Sequence, residues 1–231
     1  MASFDFQSLF TNVPGREVMR IICDHVEQNQ LKIGIPVSVL VRQLLLCTTN
    51  VSFSFLGRAF RQIDGVPMGT SLSPILAYIF MARLERKKAS KIFKRSQLYK
   101  RYVDHVLVIT ISLEETTWIM DELDRLHPNI RFTTEAERED TLHFLDNKMT
   151  RKNDGTIDRS VYRKETWTGQ CLQFDSFVSV EYERGLVRTL FQTARHICTE
   201  DMIDNELRQL KESLTGNAYP DAFFKGTAIL K

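Results

Sequence analysis

The sequence has few cysteines, no long apolar run and almost no net charge. Its four cysteines form no Cys-x-x-Cys pair, which argues against a zinc site and suits reduced thiols in an intracellular protein; they are Cys23, Cys47, Cys171 and Cys198. No apolar run approaches the ~20 residues of a membrane span. No signal peptide is recognisable before the first predicted strand. These absences exclude a disulfide-stapled miniprotein and predict no membrane segment.

The composition is that of a folded globular protein. The chain has 231 residues, of which 43% are hydrophobic and 26% are charged, so it can bury a sizeable core. This length corresponds to one large domain or two small ones. Neither an internal repeat nor a low-complexity segment stands out, which excludes collagen-like and disordered chains.

Hydrophobic periodicity predicts a mixture of strands and helices. Helices are expected to begin near Pro14, after Pro36, near Pro74 and after Ser112. The alternation of Val51, Phe53 and Phe55 with serines predicts a half-buried strand that turns back into a second strand ending near residue 62. Further strands are predicted over residues 4–6, 98–102, 106–111, 130–134, 142–149 and 157–162.

The last part of the chain has a different pattern. Apolar residues from Val187 to Cys198 recur at helical spacing. A second stripe runs from Ile203 to Leu214, with Thr199 as a candidate cap and Gly216 as its end. The sequence therefore predicts an α+β sheet domain followed by a small helical hairpin.

Two aspartates lie in apolar strand contexts and are candidates for a metal site. Asp5 is flanked by Phe4 and Phe6, and Asp104 lies at the predicted tip of an apolar hairpin. A buried carboxylate needs a partner, and Mg²⁺ prefers carboxylate and phosphate oxygens. From the spacing alone, an alternative remains open, in which Asp5 caps a local turn and Asp104 merely forms the hairpin.

Five motifs in order resemble those of reverse transcriptases. Residues 4–14 (FDFQSLFTNVP) resemble motif A, residues 65–74 (GVPMGTSLSP) resemble motif B, and residues 102–105 (YVDH) resemble motif C. The SLFTN-x-P ending is similar to that of the Penelope-like element branch, and residues 144–146 (FLD) resemble its later palm motif. Residues 164–169 and 184–190 look like its thumb region.

The resemblance implies a two-metal polymerase site. Asp5 and Asp104 match the metal-binding aspartates of the family, and the carbonyl of Phe6 is expected as a further ligand. Two Mg²⁺ ions are the implied cofactors, with Mn²⁺ as a possible substitute. Two such ions clamp the attacking and leaving oxygens of an in-line phosphoryl transfer.

The resemblance also implies nucleotide-binding residues. Phe10 matches the bulky ring beneath the incoming sugar, which would disfavour a ribose 2′-hydroxyl; as an alternative, it is a simple core aromatic. Gly65 and Gly69 are expected to permit close approach of the backbone to nucleotide and template. Gln62 is expected to support that loop, and Arg131 is expected to approach the leaving pyrophosphate.

The near-zero total charge hides a basic stretch and an acidic one. Residues 83–101 contain nine Lys or Arg against one acid, a net of +8, whereas residues 135–146 have a net of −4. The basic stretch is a candidate nucleic-acid interface, and the alternative is a solvated helix face. Its residues are Arg83, Arg86, Lys87, Lys88, Lys91, Lys94, Arg95, Lys100 and Arg101.

The sequence departs from the family pattern in three ways. His105 replaces the second aspartate of the motif C box, which removes a negative charge beside the metals and predicts strongly reduced activity. The chain starts four residues before Asp5, so the fingers region is expected to be largely missing. The 231 residues do not include the GIY-YIG-type endonuclease that is expected with this branch.

Together these features predict a right-hand polymerase palm, an antiparallel sheet packed on helices, over residues 1–163 and a connector with a helical thumb over residues 164–231. The expected function is RNA-directed DNA polymerase of a Penelope-like retroelement, truncated and weakened. The alternative is an inactive remnant that at most binds nucleic acid. The expected partners are an RNA template, a DNA primer and deoxynucleoside triphosphates, without a membrane, in an intracellular, nuclear location.

Overall fold

The computed structural model describes residues 1–49, 51–88 and 90–226, and the side chains at 87, 88, 90, 222, 225 and 226 are not among the described parts. The chain divides into two compact units, Met1–Ala136 and Glu137–Lys231. The first unit contains a four-stranded and a two-stranded sheet, the second contains a three-stranded sheet, and each unit has its own hydrophobic core.

The first unit alternates strands and helices. In chain order its elements are β1 (Ala2–Phe6), α1 (Leu9–Asn12), α2 (Gly15–Gln28), α3 (Val37–Thr49), β2 (Ser52–Phe55), β3 (Arg58–Arg61), α4 (Leu72–Lys88), α5 (Ser90–Arg95), β4 (Leu98–Tyr102), β5 (His105–Ile109), α6 (Leu113–Asp124) and β6 (Phe132–Ala136). Four of the strands form an antiparallel sheet in the order β4-β5-β1-β6.

Period-two alternation gives this sheet one buried face. Ala2, Phe4 and Phe6 of β1 are buried, as are Val106 and Val108 of the neighbouring β5. Helical residues pack against this face, since a sheet with one apolar side must cover it; they include Val18, Met19, Leu76, Phe80, Met81, Ile119 and Leu123. The arrangement confirms the prediction of an antiparallel sheet packed on helices.

Local signals explain where α6 begins. The hydroxyl of Ser112 accepts a hydrogen bond from the backbone N–H of Glu115 at 3.2 Å, as expected of an N-cap residue. Glu114 and Glu115 lie in the first turn, where acidic side chains interact favourably with the helix dipole. The predicted cap at Ser112 is confirmed.

The prediction that the strand with Phe53 and Phe55 is half-buried is wrong. β2 and β3 pair with each other alone, and all eight of their residues are exposed. The alternation between phenylalanine and serine is present, but within the described residues no second layer of structure covers the side of the hairpin that carries the phenylalanines. Alternation therefore identified the strands and not their burial.

The second unit consists of a three-stranded sheet and three helices. Its elements are β7 (Thr141–Phe144), β8 (Asn147–Arg151), β9 (Ile157–Val161), α7 (Val180–Ile197), α8 (Glu200–Gly216) and α9 (Asp221–Gly226), and the sheet order is β7-β8-β9, antiparallel throughout. One predicted strand over residues 142–149 is in fact a hairpin. Leu145, with φ of +54°, starts its turn, so a non-glycine residue in a left-handed conformation hid the break.

The predicted helical hairpin at the end of the chain is confirmed. Val187, Phe191 and Ala194 of α7 pack in one cluster with Leu210 and Leu214 of α8. A salt bridge also joins the segment after β9 to α8, since Nη1 and Nη2 of Arg163 both donate to the carboxylate of Glu206. Among the described residues, no helix is both long enough and apolar enough to cross a membrane.

Candidate active site

Strand pairing brings the two predicted catalytic aspartates together. Asp5 on β1 lies opposite His105 on β5, and Asp104 occupies the turn just before that strand. The backbone N–H of Phe6 donates to the carbonyl of Asp104 at 3.0 Å. Residues that are 99 positions apart in the chain are thus joined by a main-chain ladder.

The side chains form a compact group of potential metal ligands. One ligand atom each of Asp5, Asp104 and His105 can be chosen so that all lie within 4.8 Å of one another. Nδ1 of His105 lies 3.3 Å from Oδ1 of Asp5, and Nε2 lies 3.6 Å from Oδ1 of Asp104. All three side chains are at least one-third exposed, so an ion or substrate has access from solvent.

The electrostatics of Asp5 favour a bound cation. Partial burial raises the pKa of Asp5 above its ordinary value, and the negative charge of Asp104 also raises it, whereas His105 opposes the rise. Like charges at this separation repel. A divalent cation between the carboxylates would relieve that repulsion.

The donor set fits a divalent metal, and its chemistry discriminates between ions. Carboxylate oxygens suit Mg²⁺ and Mn²⁺, whereas the imidazole of His105 is a ligand for softer ions. The two aspartates therefore fit Mg²⁺, and a set that includes His105 fits Mn²⁺ better. The carbonyl of Phe6 as a further ligand stays a prediction.

The turn that carries Asp104 is held in an unfavourable backbone conformation. Val103 has φ of +51° at the first position of the two-residue turn between β4 and β5. Glycine is usual at that position because a β-branched residue is strained there. Such strain persists only where the surrounding structure imposes it, and it is common at functional sites.

The motif B loop is fixed to α1, the short helix within motif A. The N–H of Val66 donates to the carbonyl of Phe10 at 2.7 Å. Gly65 has φ of +84°, and a Cβ there would lie 2.7 Å from the carbonyl oxygen of Thr11 and 2.9 Å from that of Phe10. Gly65 thus permits close approach of the chain's own backbone, and a role toward nucleotide stays a prediction.

The other residues predicted to bind nucleotide have more open surroundings. Gly69 has φ of +86°, and a Cβ added there would meet nothing within 4 Å, so its conformation, not crowding, favours glycine. Gln62 donates from Nε2 to the carbonyl of Asp64 at 2.9 Å and so supports the loop. Phe10 is half-buried against the core, which is compatible with both alternatives. Arg131 donates to the carbonyls of Ile130 and Asp124.

The basic stretch is not a uniform surface. Arg101 is directed inward: its side chain is 7% exposed, and its Nε lies 2.6 Å from Oε1 of Glu85. Tyr99 donates to the same carboxylate at 3.0 Å, and burial raises the pKa of Tyr99. Because its charge is already compensated, Arg101 is a poor candidate for contact with phosphates.

The rest of the stretch is mostly exposed. Arg83 is half-buried, and the side chains of Lys87 and Lys88 lie outside the described residues. Arg95 is exposed but stacks on Trp118 at 4.4 Å. The exposed cations of the described part are Arg86, Lys91, Lys94, Arg95 and Lys100.

A comparison with protein families identifies the family of the chain that carries this site. The profile of reverse transcriptase (RNA-dependent DNA polymerase) matches residues 1–148, which contain both aspartates and the motif B loop. The chain belongs to the reverse transcriptase family. A second profile, the animal helix-turn-helix domain, matches residues 170–227 of this reverse transcriptase chain. A comparison with curated proteins finds no match.

Solved structures share the fold. A telomerase from Candida albicans, in complex with a TWJ fragment of telomeric RNA, is 14% identical with a TM-score of 0.62 over 94% of this chain and 41% of its own. The corresponding complex from Candida tropicalis is 15% identical, with a TM-score of 0.54 over 98% and 37%. An apo telomerase from Candida tropicalis truncated from the C-terminal domain is also 15% identical, with a TM-score of 0.52 over 70% and 35%.

These likenesses confirm the α+β palm-like fold with antiparallel sheets and C-terminal helices. The reverse transcriptase chain spans less than half the length of the telomerase chains that it matches. The sequence pattern predicted helices α7 and α8, but it did not indicate the match to the helix-turn-helix family. It also missed the inward ion pair of Arg101, which only the approach of α4 to β4 could reveal.

Proposed function

We propose that the chain is the RNA-directed DNA polymerase domain of a Penelope-like retroelement, with weakened two-metal nucleotidyl transfer. The observation that carries the proposal is the juxtaposition of Asp5, on β1, and Asp104, in the turn before the adjacent strand β5, in a reverse transcriptase fold. The retroelement branch is supported by the SLFTN-x-P ending of motif A. We assign residues 1–163 to the palm and residues 164–231 to the connector and thumb.

The proposed substrates follow from the family. An RNA template and a DNA primer would supply the duplex end, and a deoxynucleoside triphosphate would be the incoming nucleotide. Divalent ions, when bound, lower the cost of charge on the attacking 3′-hydroxyl and the leaving pyrophosphate. Asp5 and Asp104 would hold these ions, and Phe10 would exclude a 2′-hydroxyl beside the sugar.

The weakness of the site is attributed to His105. An imidazole stands where the family has a second carboxylate, and it lies within 4 Å of both aspartates. It therefore supplies one fewer negative charge and competes with a metal for the same oxygens. Positioning by the ladder between β1 and β5 is retained, whereas charge stabilisation of the transition state is reduced.

Primer extension on an RNA template tests the proposal. We expect weak extension, stronger with Mn²⁺ than with Mg²⁺, and complete loss in Asp104→Asn. Asp121→Asn is the matched control, because Asp121 is an exposed aspartate on α6 outside the motifs and its loss should leave extension unchanged. Extension that persists in Asp104→Asn would refute the metal assignment.

The position of His105 also favours a second candidate, a catalytically inactive domain that binds nucleic acid. The exposed cations Arg86, Lys91, Lys94 and Lys100 could then contact phosphates without any chemistry. His105→Asp separates the two candidates, since it restores the family carboxylate. A gain in extension supports the polymerase; oligonucleotide binding without extension in either protein supports the inactive domain.

A further inference from the structure

The hairpin of β2 and β3 presents exposed aromatic rings. Phe53 is 51% exposed, Phe55 is 62% exposed and Phe60 is 44% exposed. Large apolar side chains in a contiguous exposed group mark an interaction surface more often than single exposed ones do. A two-stranded sheet is also marginally stable alone, so a partner would stabilise it.

The strand register puts all three rings on one face. Phe53 lies opposite Phe60, and their rings stack with centroids 5.6 Å apart and an interplanar angle of 20°. Phe55 lies opposite Arg58, so this arginine shares the face of the rings. We call these four residues the aromatic face. The opposite face carries Ser52, Ser54, Ala59 and Arg61.

The charge of the hairpin restricts what can bind there. Residues 51–62 include Arg58 and Arg61 and no acidic residue. In a symmetric contact between two copies the arginines would face like charges, which disfavours self-association. A polyanion whose planar groups stack on phenyl rings satisfies both the rings and the arginine.

We propose that the aromatic face binds single-stranded nucleic acid, with bases stacked on the phenylalanine rings and a phosphate held by Arg58. Stacking of this kind tolerates any sequence because every base has a π-face. The inference deepens the proposed function, on which it rests for the class of ligand. It adds a nucleic-acid contact outside the sheet that positions Asp5 and Asp104. The hairpin belongs to a separate sheet from theirs.

Fluorescence anisotropy with the full chain tests the stacking. The probes are labelled DNA and RNA oligonucleotides of about 12 nucleotides, within the size that such surfaces cover, and no metal or nucleotide is added. Phe55→Leu should weaken binding about tenfold, whereas Phe55→Tyr should retain it. Ile63→Ala is the control, because it removes a 94% exposed apolar side chain that is not aromatic.

Salt dependence tests the phosphate contact. Arg58→Gln should reduce the slope of log affinity against log salt by about 0.7, the value for one phosphate on a single strand. Arg61→Gln, on the opposite face, is the matched control and should change the slope less. Equal changes in the two variants would overturn the assignment of the contact to the aromatic face.

Other outcomes are decisive as well. Unchanged affinity in Phe55→Leu, in a protein that melts like the wild type, would overturn the proposal. A wild-type dimer that Phe55→Leu abolishes, with oligonucleotide affinity unchanged, would identify a second copy as the occupant and overturn it too. Because binding is measured without metal, absence of primer extension would count against the proposed polymerase and not against this surface.

Discussion

Replacing Val103 by glycine should stabilise the protein, although it removes a side chain next to a candidate catalytic residue. Val103 has φ of +51°, and a non-glycine residue in a sparsely populated region costs about 1–3 kcal/mol. Glycine abolishes that cost but gives the unfolded chain more freedom, worth about 0.4–1 kcal/mol. Since the side chain is 37% exposed, little packing is lost, and the net gain should be about 1 kcal/mol.

Thermal unfolding measures this gain. For a chain of this size, about 1 kcal/mol corresponds to a rise in Tm of roughly 2–4 °C. Leu145→Gly, at the same position of the second unit's turn with φ of +54°, should shift Tm in the same direction. Val161→Gly, in β9, has no positive φ to relieve and should lower Tm. A fall in Tm for Val103→Gly would refute the argument from strain.

Three further perturbations have expected outcomes. Gly65→Ala should lower the free energy of unfolding by about 3 kcal/mol or more, because the new Cβ meets backbone atoms and φ is positive. Gly69→Ala, where only φ is unfavourable, should lower it by about 1 kcal/mol. Urea titration of both variants measures the difference. Arg101→Met leaves the carboxylate of Glu85, which is 15% exposed, with the Tyr99 hydroxyl but without a cation, and should cost about 3 kcal/mol in the same titration; a loss below about 1 kcal/mol would show that the pair is solvated. The Thr156 hydroxyl and N–H donate to Asp154 and hold the pKa of its carboxyl below the ordinary value. The stabilisation of the folded state by these two hydrogen bonds is therefore present at neutral pH and is lost as the pH falls through that lowered pKa. Asp154→Ala should lower Tm at pH 7 and not in strong acid.

The prediction of the fold around the candidate site succeeded where local pattern determines structure. The apolar flanks placed Asp5 in a strand and Asp104 at the tip of a hairpin, and the resemblance of their motifs to A and C implied that both aspartates bind metal. β4 was predicted with the bounds that it has, Leu98–Tyr102. The helices after Pro14, Pro36 and Ser112 followed from proline positions and a serine cap.

The prediction failed where tertiary contacts decide. Nothing in the sequence near Arg101 shows that Glu85, on α4, compensates its charge. Likewise, the need for glycine at position 65 arises from the backbone of residues 10 and 11, more than fifty positions earlier. The departure at His105 was visible in the sequence, but its position between both carboxylates required the strand register.

The central position of β1 in its sheet has a consequence for hydrogen exchange. β1 is hydrogen-bonded to β5 on one side and to β6 on the other, so its amides donate to one ladder or the other and are released only by openings in the interior of the sheet. The strand that carries Asp5 should therefore be among the slowest-exchanging segments of the first unit. In contrast, the amides of β2 and β3 should exchange quickly, because their hairpin opens without disturbing that sheet.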